Sequence, residues 1–151
     1  MMEKMREILE QMRRRSVFGE EDPIGCTESE MNTIQELAGG SLPAAYVEFM
    51  RFAGKNAGSF LQGTDFVYPR VLQLREWASE LLDECDVHYA IPGLMFVFSM
   101  HQGYEFLSFM LGSGDDPAVF QYVEGEAAPA VQWPSFSSYI LDMFEKKHNV
   151  C

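Results

Sequence analysis

The sequence predicts a single domain of the α+β class, in which a central, mainly antiparallel sheet is packed by helices. Apolar residues recur at helical spacing in the first third of the chain and again near its end. Between these regions lie three apolar runs separated by turns of only a few residues, a pattern typical of antiparallel strands. With 151 residues, 47% of them hydrophobic, the chain can bury one sizeable core and is too short for two ordinary domains.

The N-terminal region predicts an amphipathic helix followed by a linker. Apolar residues, mostly methionines, recur at helical spacing among charged residues over positions 2–15. Residues 17–26 contain Gly19, Pro23 and Gly25 and break that periodicity. We therefore divide the chain into an N-terminal helix and linker, residues 1–26, and a main domain, residues 27–151.

Three further helices are indicated by their end signals. Thr27 and Glu30 form a capping-box pattern before a helix that ends at Gly39-Gly40. Pro43 begins the next helix and Gly54 ends it. Ser135 begins the last helix, which ends at the basic residues Lys146, Lys147 and His148. The first of these helices has Leu37 on its apolar face. Another amphipathic helix is predicted over residues 74–85.

The strand predictions begin with residues 66–68, a short strand limited by Pro69. The main sheet is predicted from three later runs, at residues 94–100, 104–111 and 118–123. The second run is apolar on both faces, so we expect it to lie centrally in the sheet and to be covered on both sides.

The chain is strongly acidic, and its charge is unevenly distributed. With 23 Asp and Glu against 11 Lys and Arg, the net charge is −12, and the resulting field argues against a nucleic-acid binder. Residues 1–16 carry +2, so the remaining chain carries −14. No Lys or Arg occurs over residues 76–145, whose carboxylates are Glu76, Glu80, Asp83, Glu84, Asp86, Glu105, Asp115, Asp116, Glu124, Glu126, Asp142 and Glu145. These groups must pair with the basic N-terminal helix, remain solvated, or face a basic protein partner, and we favour the partner.

The sequence also indicates the cellular setting. No apolar run is long enough to span a membrane, and the N-terminus alternates charges instead of presenting a signal peptide. Cys26, Cys85 and Cys151 are odd in number and widely spaced, so a disulfide framework or a zinc site is not expected. We expect a cytoplasmic protein that does not enter a membrane.

Two groups of short motifs resemble the SUKH superfamily, which includes fungal cell-wall regulators and bacterial toxin-immunity proteins. The motifs are IQELAGGSLPAAYVEF at residues 34–49, Asn56-Ala57-Gly58, Phe96-Val97-Phe98, QGYEF at residues 102–106, DPAVFQY at residues 116–122 and the helix over residues 136–144. Together they cover roughly residues 27–145. The resemblance implies an α+β domain that binds a protein without catalysis.

Catalytic and metal-binding alternatives are weaker. Cys85 and His88 could reach one metal ion, but no further ligand lies near them in sequence, so no metal or other cofactor is expected. His101 could act as a general base for Cys85 or Ser99, yet no nucleophile motif is present and a polar turn explains it.

Other chemistry-bearing residues have structural interpretations. Asp115-Asp116, with Glu105, Glu124 and Glu126 near them, could form paired carboxylates, but Asp-rich loops are common turns. We expect these acids to present negative charge at one end of the sheet. Trp77 and Trp133 are interpreted as packing residues.

The sequence therefore predicts an immunity protein that binds and neutralises a cognate toxin, with a nuclease favoured because such an enzyme presents a basic surface. The candidate partner-binding residues are Asp83, Glu84, Asp86, Asp115, Asp116, Glu124 and Glu126. A regulatory adaptor in signalling or cell-envelope control is the alternative. An enzyme that uses Cys85 or His101 is the third hypothesis.

Overall fold

The computed structural model describes residues 2–149, with side chains described for residues 4–146, and it has the predicted α+β architecture. The helices are α1 (Met2–Arg14), α2 (Glu28–Ala38), α3 (Ala44–Ala53), α4 (Leu74–Glu84), preceded by a 3₁₀ turn (Arg70–Gln73), and α5 (Phe136–Asn149). The strands are β1 (Thr64–Asp65), β2 (Met95–His101), β3 (Glu105–Met110), β4 (Val119–Val123) and β5 (Ala130–Trp133).

The sheet has the strand order β1-β2-β3-β4-β5, and every pair of neighbours is antiparallel. Short turns join β2 to β3 and β3 to β4, so these strands pair with their neighbours in sequence. Met95 lies opposite Met110, and a bulge follows Val97 and shifts the register before Ser99 pairs with Leu107. The predicted central position of β3 is confirmed.

Helices cover both faces of this sheet. Side chains alternate between faces along a strand, so Val97 on β2 points toward α4, while Phe96 and Phe98 point toward α3 and α5. Tyr46 of α3 lies 5.5 Å from Phe96 and 5.6 Å from Phe136 of α5 between ring centroids. These aromatic contacts join α3, α5 and the sheet in one core.

The N-terminal helix belongs to the same core. Met5, Leu9 and Met12 are fully buried, and α1 packs against α3 and α5. Residues 17–26 form an irregular segment, as expected of a linker, but Val17 and Phe18 are buried in the core.

This segment is held to the domain by the turn at Asn56. Ile24 and Asn56 form a two-way backbone bridge, and the Asn56 side chain accepts the Gly58 N–H at 2.8 Å. Gly58 has φ +57°, and a Cβ atom there would lie 1.8 Å from the Phe18 carbonyl oxygen. Only glycine allows the two backbone segments to approach this closely.

The predicted end signals act as expected where the structure describes them. Thr27 and Glu30 form a complete capping box, and Gly39 ends α2 in the left-handed conformation. Pro43 precedes α3 and Gly54 follows it. The Ser135 hydroxyl accepts the Ser138 N–H at 3.1 Å at the start of α5. The side chains of Lys147 and His148, as well as the whole of Cys151, lie outside the described residues.

Two strands differ from the sequence prediction. The predicted strand at residues 66–68 is wrong, because the first strand is Thr64–Asp65 and the Tyr68 N–H bonds to the Gly54 carbonyl instead of a sheet partner. Strand β5 was not predicted, since it has only four residues between Pro129 and Pro134 and is mostly exposed. Leu37 was placed on an apolar helix face, yet it is 55% exposed because the chain covers only the Met31 and Ile34 side of α2.

No helix within residues 2–149 has both the length and the apolar character needed to cross a bilayer.

Candidate functional site

The C-terminal end of α4 exposes three of the predicted acids. The last helical bond of α4 runs from the Cys85 N–H to the Leu81 carbonyl, and the helix ends because Asp86 then takes φ +59°, which reverses the chain. Asp83, Glu84 and Asp86 are all exposed. They stand where the helix already presents its negative dipole end, so their field adds to that of the helix.

The β4–β5 turn supplies two more acids. The Glu124 N–H bonds to the Tyr104 carbonyl at 2.8 Å, which fixes the turn against the β2–β3 connection. The Glu126 carboxylate accepts the Val123 N–H at 2.8 Å. Both side chains are exposed, although Glu126 keeps one oxygen on the backbone.

The two groups of acids meet at one end of the molecule. Cys85 Sγ lies 3.9 Å from Glu124 Oε1, which joins the end of α4 to the β4–β5 turn. The pKa of Tyr122 is raised, first by burial and then by Cys85, Glu126 and Glu124, so these groups surround its hydroxyl. We call Asp83, Glu84, Asp86, Glu124 and Glu126 the acidic surface.

The ion pairs of the described side chains lie away from the acidic surface. Among the described side chains, ion pairs join Arg6 to Glu48, Arg13 and Arg14 to Glu10, Arg51 to Glu28, Lys55 to Glu30, Arg70 to Asp65 and Lys146 to Asp142. Arg75 lies on α4 itself, but its guanidinium donates to the carbonyls of Ile91, Pro92 and Met95. In these pairs the basic residues of α1 bind Glu10 and Glu48, and none of the pairs includes a residue of the acidic surface.

The remaining two predicted acids lie elsewhere. Asp115 and Asp116 occupy the β3–β4 loop, at the opposite end of β4 from Glu124 and Glu126. Asp115 is exposed, whereas the half-buried Asp116 carboxylate accepts bonds from the backbone N–H and hydroxyl of Ser137 at the start of α5. Asp115 and Asp116 thus lie at the other end of the sheet from Glu105, Glu124 and Glu126, and the expectation that these five acids share one end is wrong.

The residues considered for catalysis have other partners. His101 Nδ1 lies 2.8 Å from Thr64 Oγ1, and Cys85 is beside Glu124. The buried Ser99 hydroxyl bonds to Tyr139. Among the described residues no group of three or more His, Cys, Asp and Glu side chains could hold a metal ion. These contacts give neither Cys85 nor Ser99 a histidine base.

The two tryptophans are packing residues, as predicted. Trp77 is half-buried against the core. Trp133 lies 4.8 Å from Tyr139 between ring centroids and donates its indole N–H to Asp142 at 3.0 Å.

A groove on the opposite face of the sheet was missed by the sequence analysis. It has a volume of about 530 Å³ and runs between α5 and the β2–β3 turn. His101, Glu105 and Gln121 point into it from β2, β3 and β4. A signal for it does exist in the sequence, because the α5-facing pairs of β2 and β3 change from Phe96 and Phe109 to His101 and Glu105 toward this end of the strands. Helix α5 covers the apolar part and leaves the polar part open.

Comparison with known protein families identifies a match to most of the chain. The family model described as SMI1 / KNR4 family (SUKH-1) matches residues 25–142, which covers all of the sheet and the helices α2 to α4. This match confirms the resemblance drawn from the short motifs. No curated protein matches the chain.

Proposed function

The chain belongs to the SMI1/KNR4 family (SUKH-1), and from this membership we propose that it is a cytoplasmic immunity protein, a non-catalytic domain that binds and neutralises a cognate toxin. The toxin class we favour is a nuclease. The observation that carries the proposal is the acidic surface, on which five carboxylates from two elements lie together and form no ion pair with Lys or Arg in the part of the chain whose side chains are described.

The physical argument concerns association. A nuclease needs a basic surface to hold a polyphosphate backbone, so an acidic domain of complementary charge can occupy that surface. Charges at the edge of an interface mainly raise the association rate and select the partner. Tight binding also needs buried apolar anchors.

Apolar side chains are exposed near the start of α4, one helix length from the acidic surface at its end. A cleft of about 370 Å³ runs along α4 from Asp83 to Arg75, and a second cleft of about 280 Å³ continues from Arg75 to Leu37. Leu37 is 55% exposed and Leu94 is 57% exposed. A partner that placed cations on the acidic surface could therefore bury apolar side chains along the same side of the molecule.

The first experiment tests the immunity role in cells. The protein is co-expressed with the toxin-like product of a neighbouring reading frame, and both complex formation and cell survival are measured. We expect a stable complex and full protection. Absence of both would contradict the proposal, whereas a growth defect on deletion in cells without any toxin would favour the regulatory adaptor.

The second experiment tests the acidic surface with a charge-matched control. Variant one combines Asp83→Asn, Asp86→Asn and Glu124→Gln, and leaves Glu126 because its carboxylate holds the turn. The control combines Glu20→Gln, Glu21→Gln and Asp22→Asn, three exposed acids of the N-terminal segment. At low salt we expect variant one to associate about tenfold more slowly and the control to change less than about twofold.

The two variants carry the same net charge, so equal slowing would mean that only the overall charge matters. An unchanged association rate for variant one would show that the acidic surface is not part of the interface. A third variant, Cys85→Ser, should leave protection intact, and its failure in cells together with normal toxin binding would favour the enzyme hypothesis.

A further inference from the structure

The groove between α5 and the β2–β3 turn contains one carboxylate that forms no ion pair with a described Lys or Arg side chain. Glu105 is half-buried, and no ion pair joins it to a Lys or Arg among the described side chains. Its charge is felt inside the groove, because the pKa of Tyr139 is raised first by burial and second by Glu105. A half-buried carboxylate in this position favours a cation supplied from outside.

The other walls of the groove suit a flat, cationic group. Tyr104, Trp133 and Tyr139 contribute aromatic rings, on whose faces a cation is attracted. Gln121 and Gln132 contribute side-chain amides, whose carbonyl oxygens accept hydrogen bonds. The volume of about 530 Å³ lies in the range of about 300–1,000 Å³ common for binding clefts.

The positive charge already present in the groove is compensated. Lys146 stands at its border and pairs with Asp142 at 3.3 Å, and the same Asp142 accepts the Trp133 indole N–H. His101 Nδ1 bonds to Thr64. These contacts leave Glu105 as the charged residue of the groove lining that has no ion pair among the described side chains.

We propose that the groove binds an arginine side chain of the protein partner, with Glu105 as its counter-ion, Tyr104 and Trp133 beside the guanidinium plane, and Gln121 and Gln132 as further acceptors. Arginine is preferred to lysine because its planar fork has five donors, which matches a carboxylate flanked by amides and aromatic rings. This inference rests on the proposed function, since it names the group that a basic partner would insert.

The position of the groove relative to the acidic surface supports this assignment. Glu105 pairs with Val123 in the sheet, and Glu124 follows directly and bonds to the Tyr104 carbonyl. The acidic surface and the groove therefore lie on opposite faces of the same end of the sheet. A partner that reaches the groove must therefore cover this end of the sheet and contact both of its faces.

The test uses N-acetyl-arginine amide as a probe and follows the Trp133 indole and Gln121 amide signals by NMR. We expect saturable shifts of both signals. N-acetyl-citrulline amide, which has nearly the same shape without the charge, should bind about tenfold or more weakly. Shifts of equal size with citrulline, or no shift with arginine, would overturn the proposal.

Variants make the test specific to the groove. Glu105→Gln should weaken arginine binding about tenfold, and Tyr104→Ala should weaken it about two- to fivefold. The control Glu80→Gln removes an exposed charge on α4, on the other side of the sheet, and should change nothing. The amide NMR spectrum of each variant verifies its fold, and unchanged arginine affinity in folded Glu105→Gln would overturn the proposal.

The complex with the toxin separates this inference from the proposed function. Glu105→Gln should speed dissociation of that complex about tenfold. A complex that forms normally and dissociates at an unchanged rate would overturn the inference and leave the proposed function standing. Arginine binding without any toxin complex would contradict the proposed function alone.

Discussion

The Asp116 carboxylate accepts the backbone N–H of Ser137 at 2.8 Å, although the two residues are 21 positions apart in sequence. The Ser137 hydroxyl donates to the second carboxylate oxygen. These bonds tie the β3–β4 loop to the first turn of α5, where a negative charge is favoured by the helix dipole and by unsatisfied N–H groups.

Asp116→Ala should therefore destabilise the protein, because it leaves a half-buried helix end without its acceptor. We expect the free energy of unfolding to fall by about 2 kcal/mol. The exposed neighbour Asp115 provides the control. Asp115→Ala should change the free energy of unfolding by less than about 0.5 kcal/mol. Urea denaturation of both variants measures the difference, and equal losses would refute the capping role.

Gly58→Ala should be more damaging than other glycine substitutions at positive φ. Its Cβ would lie 1.8 Å from the Phe18 carbonyl, so the backbone must move in addition to adopting a strained φ. We expect a loss of about 3 kcal/mol. Gly112→Ala has φ +82° but nothing within 4 Å of its Cβ, and it should lose only about 1 kcal/mol. Thermal unfolding of the two variants tests whether the close contact with Phe18 or the positive φ angle accounts for most of the stability that Gly58→Ala loses.

Asp142 should make folding stability depend on pH in the acid range. The Trp133 indole N–H, and then Lys146, hold the pKa of this carboxyl below its ordinary value of 3.8. A carboxyl whose pKa is lower in the folded state stabilises the fold at pH values above the unfolded pKa, and this contribution is lost as the pH falls through the folded pKa.

The effect can be measured on Asp142 directly. A carboxyl ¹³C NMR titration should give a pKa below 3.8 in the wild type and a higher one in Trp133→Phe, which removes the principal donor. An unchanged pKa in Trp133→Phe would show that the indole bond is not the cause.

Neutralising the α4 end should stabilise the protein at low ionic strength. Asp83, Glu84 and Asp86 repel one another and stand at the negative end of a helix. Replacing them by Asn, Gln and Asn should raise the free energy of unfolding by about 1 kcal/mol in total, with the gain disappearing in high salt.

A carboxylate in an ion pair gives the contrasting case. Glu28 lies in the first turn of α2 and pairs with Arg51 at 2.8 Å, so Glu28→Gln should lower the stability slightly. Urea denaturation at low and high NaCl measures both variants. A destabilised α4 variant would contradict the proposed repulsion.

Sequence reasoning located the elements whose signals are local. The capping box at Thr27, the glycine end of α2 and the strands β2 to β4 follow from neighbouring residues, and the structure has them where predicted. Strands β1 and β5 could not be located in this way, because two and four residues carry too little periodicity. Their positions are set by the edges of the sheet and not by their own side chains.

Only part of the candidate site could be predicted from the sequence. Charge counting indicated acids without cations, but it could not distinguish Asp116, which binds α5, from Glu124, which reaches Cys85. That distinction depends on which end of β4 each loop occupies. The groove at Glu105 was missed for a similar reason, since its lining residues come from all five strands and one helix.

The burial of α1 has a consequence for where this chain can be cut. Met5, Leu9 and Met12 lie before residue 25, at which the family match begins, yet all three are fully buried. Burying three such side chains contributes about 5 kcal/mol, comparable with the whole net stability of many domains. Proteolytic cleavage within residues 17–26 would release this helix and expose the apolar surface that it covers. The remaining domain would be incompletely folded and prone to aggregate. The folded domain therefore extends beyond the residues that the family model matches.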